Sequence, residues 1–103
     1  MVKLKYDEII HINMKKRVRI TIKGRVQGVG FRYRTQMEAK RLNITGFARN
    51  VSNGDVEIIA EGEEENLKKL VEFCKEGPLM ANVINLDYDY SDYTGEFTNF
   101  RTR

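Results

Sequence analysis

Residues 18–32 read VRITIKGRVQGVGFR, and this stretch decides how the chain begins to fold. Over residues 18–23, β-branched apolar residues alternate with polar ones, which predicts a strand with one buried face. A loop that contains three glycines follows. From there, apolar positions recur every three or four residues, which is typical of one face of a helix: Phe31, Thr35, Ala39 and Leu42. The stretch therefore predicts a strand, a glycine loop and a helix, with Arg32 in the first helical turn.

The remaining sequence predicts further strands and a second helix. Strands at 47–51 and 56–61 flank a turn at 52–55, where Asn53-Gly54 readily supplies positive φ angles. The second helix ends before Gly77-Pro78, and its apolar stripe is Leu67, Leu70, Val71 and Cys74. A fourth strand is expected within 81–90, and a short closing strand around 97–101. This order predicts an α+β, ferredoxin-like split βαβ sandwich (βαββαβ), an antiparallel sheet with two helices on one face.

Length and composition indicate one soluble globular domain, because the chain has 103 residues, of which 41% are hydrophobic and 32% charged. The single cysteine, Cys74, excludes an internal disulfide and favours a reducing, cytoplasmic setting. Because Cys74 falls on a core stripe, we interpret it as a buried structural thiol. No apolar run approaches the roughly 20 residues of a membrane helix, so we expect no membrane partner.

We divide the chain into an N-terminal extension, residues 1–16, and a domain at 17–103. The role of the extension is open: it is unordered, adds an edge strand through Val2-Lys3-Leu4-Lys5-Tyr6, or mediates association. The charge distribution also leaves two alternatives. Residues 1–50 hold 13 Lys and Arg against 3 Asp and Glu, whereas residues 51–103 hold 5 against 12. Either the first half faces an anionic ligand, or the two halves interleave and their charges mix.

The glycine loop fits a general plan for binding anions. Glycines let backbone N–H groups converge, and the free N–H groups of the first helical turn add to them. The Arg32 guanidinium can give two parallel hydrogen bonds to a phosphate or carboxylate. The loop is neither a P-loop nor a dinucleotide fingerprint. From spacing alone, a tight turn with a solvated arginine explains it at least as well.

A second segment of the sequence favours the anion-binding interpretation of the loop over the tight turn. Residues 24–32 match the signature G-x-V-Q-G-V-x-F-R without a break, and residues 46–56 match G-aromatic-small-x-N-x-x-x-G-x-V. With these two segments the sequence resembles the acylphosphatase family over about residues 17–101. Phe47 and Phe73 stand where tryptophan is common in that family, and both keep aromatic bulk.

The resemblance implies an enzyme that hydrolyses the carboxyl-phosphate anhydride of acyl phosphates to carboxylate and inorganic phosphate. Carried over by position, Arg32 would hold the phosphoryl group and Asn50 would bind and orient the attacking water. Backbone N–H groups of the loop would complete the cradle: Arg25, Val26, Gln27, Gly28, Val29 and Gly30. We expect no cofactor, and no metal site is apparent in the sequence, because the single histidine, His11, lies in the extension and Cys74 falls on a core stripe. Inorganic phosphate would be both product and competing ligand.

Other polar residues are given structural interpretations. Arg49 lies on the opposite side of an ideal strand from Asn50, and Arg34 lies about 200° around the helix from Arg32, so neither is assigned to catalysis. The acidic run at 61–65 is interpreted as a solvated helix start rather than a cation site.

Three tyrosines near the end of the chain are assigned to strand and loop positions on a partly exposed sheet: Tyr88, Tyr90 and Tyr93. Aspartates alternate with these tyrosines, which disfavours a nucleic-acid partner. Two other functions stay open at this point. A ferredoxin-like sheet can bind RNA or a small regulatory ligand, and similar domains occur within larger hydrogenase-maturation proteins that process carbamoyl phosphate, although this chain is expected to be free-standing.

Overall fold

The structure, a computed structural model, describes residues 14–103. The elements follow the predicted order: β1 Lys15–Arg25, α1 Phe31–Arg41, β2 Thr45–Asn50, β3 Val56–Glu63, α2 Glu64–Glu76, β4 Asn82–Asp92 and β5 Phe100–Thr102. The predicted ferredoxin-like α+β fold is confirmed. The ends of the strands differ from the prediction, since β1 begins at Lys15 and β5 begins only at Phe100. The three interpretations of the N-terminal extension concern residues 1–13, which lie outside the described residues.

The five strands form one sheet in the order β4-β1-β3-β2-β5. β1 is antiparallel to both β3 and β4, and β2 is antiparallel to β3. β5 runs parallel to β2, so the sheet is mixed, whereas the sequence predicted a wholly antiparallel sheet. The reason is the last connection: residues 93–99 carry the chain from β4 at one edge to the opposite edge. A strand that returns from there runs opposite to β4, and that direction is parallel to β2.

The core lies between one face of the sheet and the two helices. The alternating apolar residues of β1 are fully buried, as are their partners on β3: Val18, Ile20, Ile22, Val56, Ile58 and Ala60. The predicted helical stripes are buried against them: Phe31, Thr35, Ala39, Leu67, Leu70, Val71 and Cys74. Each large apolar side chain buried in this way stabilises the fold by about 1.5–3 kcal/mol. The helices therefore cover one face, as the sequence predicted.

Cys74 is a core residue with no exposed surface, as predicted. Burial raises the pKa of its thiol to about 12, and the neighbouring Thr35 hydroxyl offsets only part of that rise. Because a thiol with such a pKa stays protonated near neutral pH, Cys74 supplies packing rather than a nucleophile.

Among residues 14–103, the opposite face of the sheet carries no helix and is covered by paired charges. Basic residues of β1 and β2 contact acidic residues on or beside β3: Arg17–Glu61 at 3.2 Å, Arg19–Glu57 at 2.6 Å, Arg49–Glu57 at 2.7 Å and Lys23–Asp55 at 2.7 Å. β1 comes from the basic half of the sequence and lies between β3 and β4 from the acidic half. The two halves therefore interleave, as the second interpretation of the charge distribution expects.

These ion pairs also change the pKa values of the carboxylates that they contain. Burial of Glu57 raises its pKa, but hydrogen bonds from Arg49 and Arg19 outweigh this and hold the pKa below its usual range. A hydrogen bond from Lys23 likewise lowers the pKa of Asp55. Both carboxylates are thus held ionised by cations on neighbouring strands.

Glu61 departs from its sequence-based interpretation. The sequence places Glu61 at the end of the predicted strand 56–61 and in an acidic run interpreted as solvated, but only the strand is right: Glu61 has 1% of its surface exposed, and α2 begins at Glu64. Its carboxylate pairs with Arg17 and accepts hydrogen bonds from the Thr94 N–H and hydroxyl, each at 2.9 Å, and from the Gly95 N–H at 3.1 Å. Glu61 therefore fastens the segment that carries the chain from β4 to β5.

Replacing Glu61 with alanine is expected to lower the free energy of unfolding by about 1–3 kcal/mol, because it removes the buried acceptor of three hydrogen bonds and releases the 93–99 segment. Guanidinium denaturation followed by circular dichroism measures the change. Glu63→Ala is the matched control, since Glu63 is exposed on the same strand, and should shift the free energy by less than about 0.5 kcal/mol. Equal effects from the two substitutions would contradict the anchoring role.

Candidate active site

A cavity of about 200 Å³ opens at the end of the sheet where β1 leads into α1 and where β2 and β5 end. Five of the predicted site residues line it: Val26, Gly28, Gly30, Arg32 and Asn50. Four further residues complete the lining: Phe31, Tyr33, Gln36 and Thr102. The fold thus brings together two segments that lie about twenty residues apart in the sequence.

The two loop glycines that line the cavity both have left-handed backbone conformations. Gly28 has φ +73° and Gly30 has φ +79°, and a Cβ at either position would point into open space. The requirement for glycine is therefore conformational rather than a matter of room. Gly30 is also the N-cap of α1, where no side chain caps the helix and no acidic residue lies in the first turn. The N–H groups at this helix end are therefore not neutralised by a neighbouring carboxylate of the helix.

Arg32 stands in the first turn of α1 and is partly exposed. Its Nη1 donates a hydrogen bond to the main-chain oxygen of Arg103 at 2.7 Å. The end of the chain is itself held in place, because the Arg103 guanidinium lies 3.8 Å from the centre of the Phe47 ring and the Arg103 N–H donates to the Ala48 oxygen. Arg103, the residue that follows β5, therefore orients Arg32 at the cavity.

Asn50 is the last residue of β2 and is exposed at the cavity. Within residues 14–103 its side-chain amide makes no hydrogen bond to another residue. An exposed amide that has both a donor and an acceptor available can hold a water molecule. The neighbouring Arg49 pairs with Glu57 on the charged face, so the alternation of the strand separates the two side chains as expected.

Three of the predicted loop residues do not line the cavity. Arg25 is the last residue of β1 and is paired with Asn82, so the loop proper begins one residue later than predicted. Val29 is half-buried against the core. The side chain of Gln27 turns towards the β2–β3 hairpin, where its amide donates to the Val51 oxygen at 2.7 Å and to the Asp55 oxygen at 2.9 Å.

The contacts of Gln27 and of Arg103 were missed by the sequence analysis. The alternation and glycine patterns are local, whereas these hydrogen bonds join residues that are 24 to 71 positions apart. The glutamine inside the loop signature, which turn geometry alone does not need, is the one signal that could have pointed to such a contact.

The part of the chain that the structure describes holds no group of three His, Cys, Asp or Glu side chains placed to bind a metal ion. Between residues 14 and 103 there is also no helix with the length and apolar character needed to cross a membrane.

Comparison with known proteins decides the family. The family model for acylphosphatase matches residues 18–102. An acylphosphatase of Caldanaerobacter subterraneus subsp. tengcongensis is 46% identical over 88 residues, which cover 85% of this chain and 98% of that protein. The acylphosphatase of Salinibacter ruber is 48% identical over 89 residues, 86% of this chain and 94% of that one. The chain belongs to the acylphosphatase family.

The solved structures agree with this assignment. The crystal structure of acylphosphatase from Bacillus subtilis has a TM-score of 0.82 and 39% identity, covering 85% of this chain and 98% of that one. This acylphosphatase is therefore a hydrolase that acts on acid anhydrides, and its family implies a small-molecule acyl phosphate as substrate. The resemblance seen in the two sequence segments is confirmed.

Proposed function

We propose that this acylphosphatase hydrolyses acyl phosphates to a carboxylate and inorganic phosphate at the cavity beside Arg32 and Asn50. In this proposal Arg32 and the N–H groups of the glycine loop hold the phosphoryl group, and Asn50 orients the attacking water. The observation that carries the proposal is the shared cavity, which is lined by Gly28, Gly30, Arg32 and Asn50 together.

The electrostatics at the start of α1 support an anionic ligand. The N-terminus of a helix carries a partial positive charge, and Arg32 adds a full one in the first turn. No acidic residue of that turn offsets them. A phosphoryl group between the loop and Arg32 would compensate both charges, and guanidinium groups bind phosphate oxygens in a bidentate way. The arrangement is unfavourable without an anion and favourable with one.

The reaction requires little of the protein beyond the positioning of the phosphoryl group and the attacking water. Phosphoryl transfer depends mainly on positioning and on stabilising the charge of the equatorial oxygens. A carboxylate is a good leaving group, so no strong general acid is needed. Asn50 has no useful basicity, but its amide can accept from a water and donate to it, which fixes the lone pair towards phosphorus.

We also propose that the protein works in a reducing compartment, the cytoplasm. The support is chemical: Cys74 is a free thiol inside the core, and the sequence has no second cysteine with which it could form a bond.

The proposal is tested with benzoyl phosphate in the presence of EDTA. We expect release of inorganic phosphate well above the uncatalysed rate, and we expect added inorganic phosphate to inhibit competitively because it fits the same cradle. Arg34→Ala serves as the matched control, since Arg34 is exposed two residues from Arg32 and does not line the cavity. Its kcat/KM should stay within about twofold of the wild-type value. Absence of turnover by the wild-type enzyme would contradict the proposal.

A further inference from the structure

We propose that Gln27 is a positioning residue, whose side chain sets the placement of Asn50 relative to the phosphate loop. The inference rests on the proposed function, because it concerns how the two halves of that site are held together. Gln27 does not line the cavity, so its side chain acts through the residues it binds rather than on the substrate.

The contact lies at the junction between the two halves. The Gln27 amide nitrogen donates to the Val51 oxygen at 2.7 Å and to the Asp55 oxygen at 2.9 Å. Val51 directly follows Asn50, and the Val51 N–H donates to the Asp55 oxygen at 2.8 Å, which closes the turn. One amide group therefore hydrogen-bonds to both ends of the turn that follows Asn50. Among residues 14–103, no other hydrogen bond joins residues 26–30 to this turn.

Each half has anchors of its own. The phosphate loop is held by Val26 and Phe31, each with 1% of its surface exposed, and by the Arg34 N–H, which donates to the Gly30 oxygen at 3.0 Å. The turn is held by the ion pair between Lys23 and Asp55. Loss of the Gln27 amide should therefore leave both halves formed and change only their relative placement.

The first experiment compares Gln27→Met with the wild-type enzyme. Methionine keeps the length of the side chain but has no donor for the two carbonyls. Because small misplacements of a reacting group are costly, we expect kcat for benzoyl phosphate to fall by roughly tenfold to a hundredfold. The inhibition constant of inorganic phosphate should change by less than about twofold, since the loop and Arg32 stay in place. An equal loss in phosphate affinity would overturn the inference, because Gln27 would then serve the phosphate loop itself.

Lys23→Met is the matched control, since it removes the other tie of the same turn with the same new side chain. It should lower the midpoint of unfolding but leave kcat within about twofold. If it lowers kcat as much as Gln27→Met does, general stability of the hairpin explains the effect and the inference is wrong. Gln27→Glu is the second variant, in case the methionine variant does not fold. It keeps the shape but sets a carboxylate against two carbonyl oxygens, so kcat should fall at least as far.

The deciding measurement is a double-mutant cycle with Asn50→Ala. If Gln27 acts through Asn50, then Gln27→Met should change kcat by less than about twofold in the Asn50→Ala background. The same fold-loss in both backgrounds would overturn the inference. Failure of the proposed function is recognised separately, because it appears as absence of turnover in the wild-type enzyme before any variant is compared.

Discussion

Arg32→Ala is expected to lower kcat/KM for benzoyl phosphate by roughly 10³- to 10⁵-fold, the range in which arginines that neutralise a transferring phosphoryl group contribute. The side chain lines the cavity from the first turn of α1 and is oriented by the Arg103 oxygen. Removing it leaves the loop N–H groups as the remaining donors for the equatorial oxygens. Phosphate inhibition should weaken together with turnover, because in the proposed mechanism Arg32 contacts the anion in both the ground state and the transition state.

Arg32→Lys separates charge from geometry. Lysine keeps the positive charge but cannot give two parallel hydrogen bonds from a planar group, and its shorter reach loses the contact with Arg103. We expect it to remain at least about tenfold less active than the wild-type enzyme. The unfolding midpoints of both variants should stay near the wild-type value, because Arg32 is partly exposed. An Arg32→Ala enzyme within tenfold of the wild-type kcat/KM would contradict the assignment.

The first half of the site could be predicted because its determinants are local. Alternation over residues 18–23 predicts β1, and the helical stripe beginning at Phe31 predicts α1. The glycines between them predict positive φ angles, which Gly28 and Gly30 have. A chain that leaves a strand and enters a helix within five residues has few other ways to turn. The position of Arg32 in the first turn follows from these constraints alone.

The closing elements could not be predicted in the same way. β5 has three residues, and its partner β2 lies about fifty positions earlier in the chain. A strand this short has too little periodicity to specify a register, so neither its parallel pairing nor the contact of Arg103 with Arg32 can be inferred locally. The prediction that Glu61 is solvated was wrong for a related reason. Its position on the polar side of β3 predicts solvent, but the 93–99 segment passes over it and supplies its partners.

The strand order of the sheet changes what the uneven charge distribution along the sequence implies about the surface. A basic half and an acidic half suggest a dipolar surface only if the halves stay apart in space. The split βαβ order inserts β1 between β3 and β4, so three of the six basic residues of β1 pair with carboxylates on or beside β3. The anion site that we propose is the small group at the start of α1, where Arg32 forms no ion pair with an Asp or Glu side chain of residues 14–103. In the proposed function, anion binding therefore depends on that helix end and not on the net charge of the chain.

Asn50→Ala is expected to lower kcat by roughly 10²- to 10³-fold, the loss seen when one preorganised polar group of an active site is removed. In the proposed mechanism Asn50 contacts the attacking water and not the phosphoryl oxygens. The inhibition constant of inorganic phosphate should therefore change by less than about threefold, in contrast to the Arg32 variants. The fold should be unaffected, because the Asn50 side chain is exposed and binds no other residue between 14 and 103.

Asn50→Asp tests why an amide is needed. A carboxylate can accept a hydrogen bond from the water, but it cannot donate one, and its negative charge faces the same cavity as the phosphoryl group. We therefore expect Asn50→Asp to raise KM as well as to lower kcat, whereas Asn50→Ala lowers kcat with little change in KM. Steady-state kinetics with benzoyl phosphate distinguish the two patterns. If Asn50→Ala raised KM and the phosphate inhibition constant in parallel and left kcat unchanged, Asn50 would be a phosphate ligand, and the water would have to be oriented by another group lining the cavity.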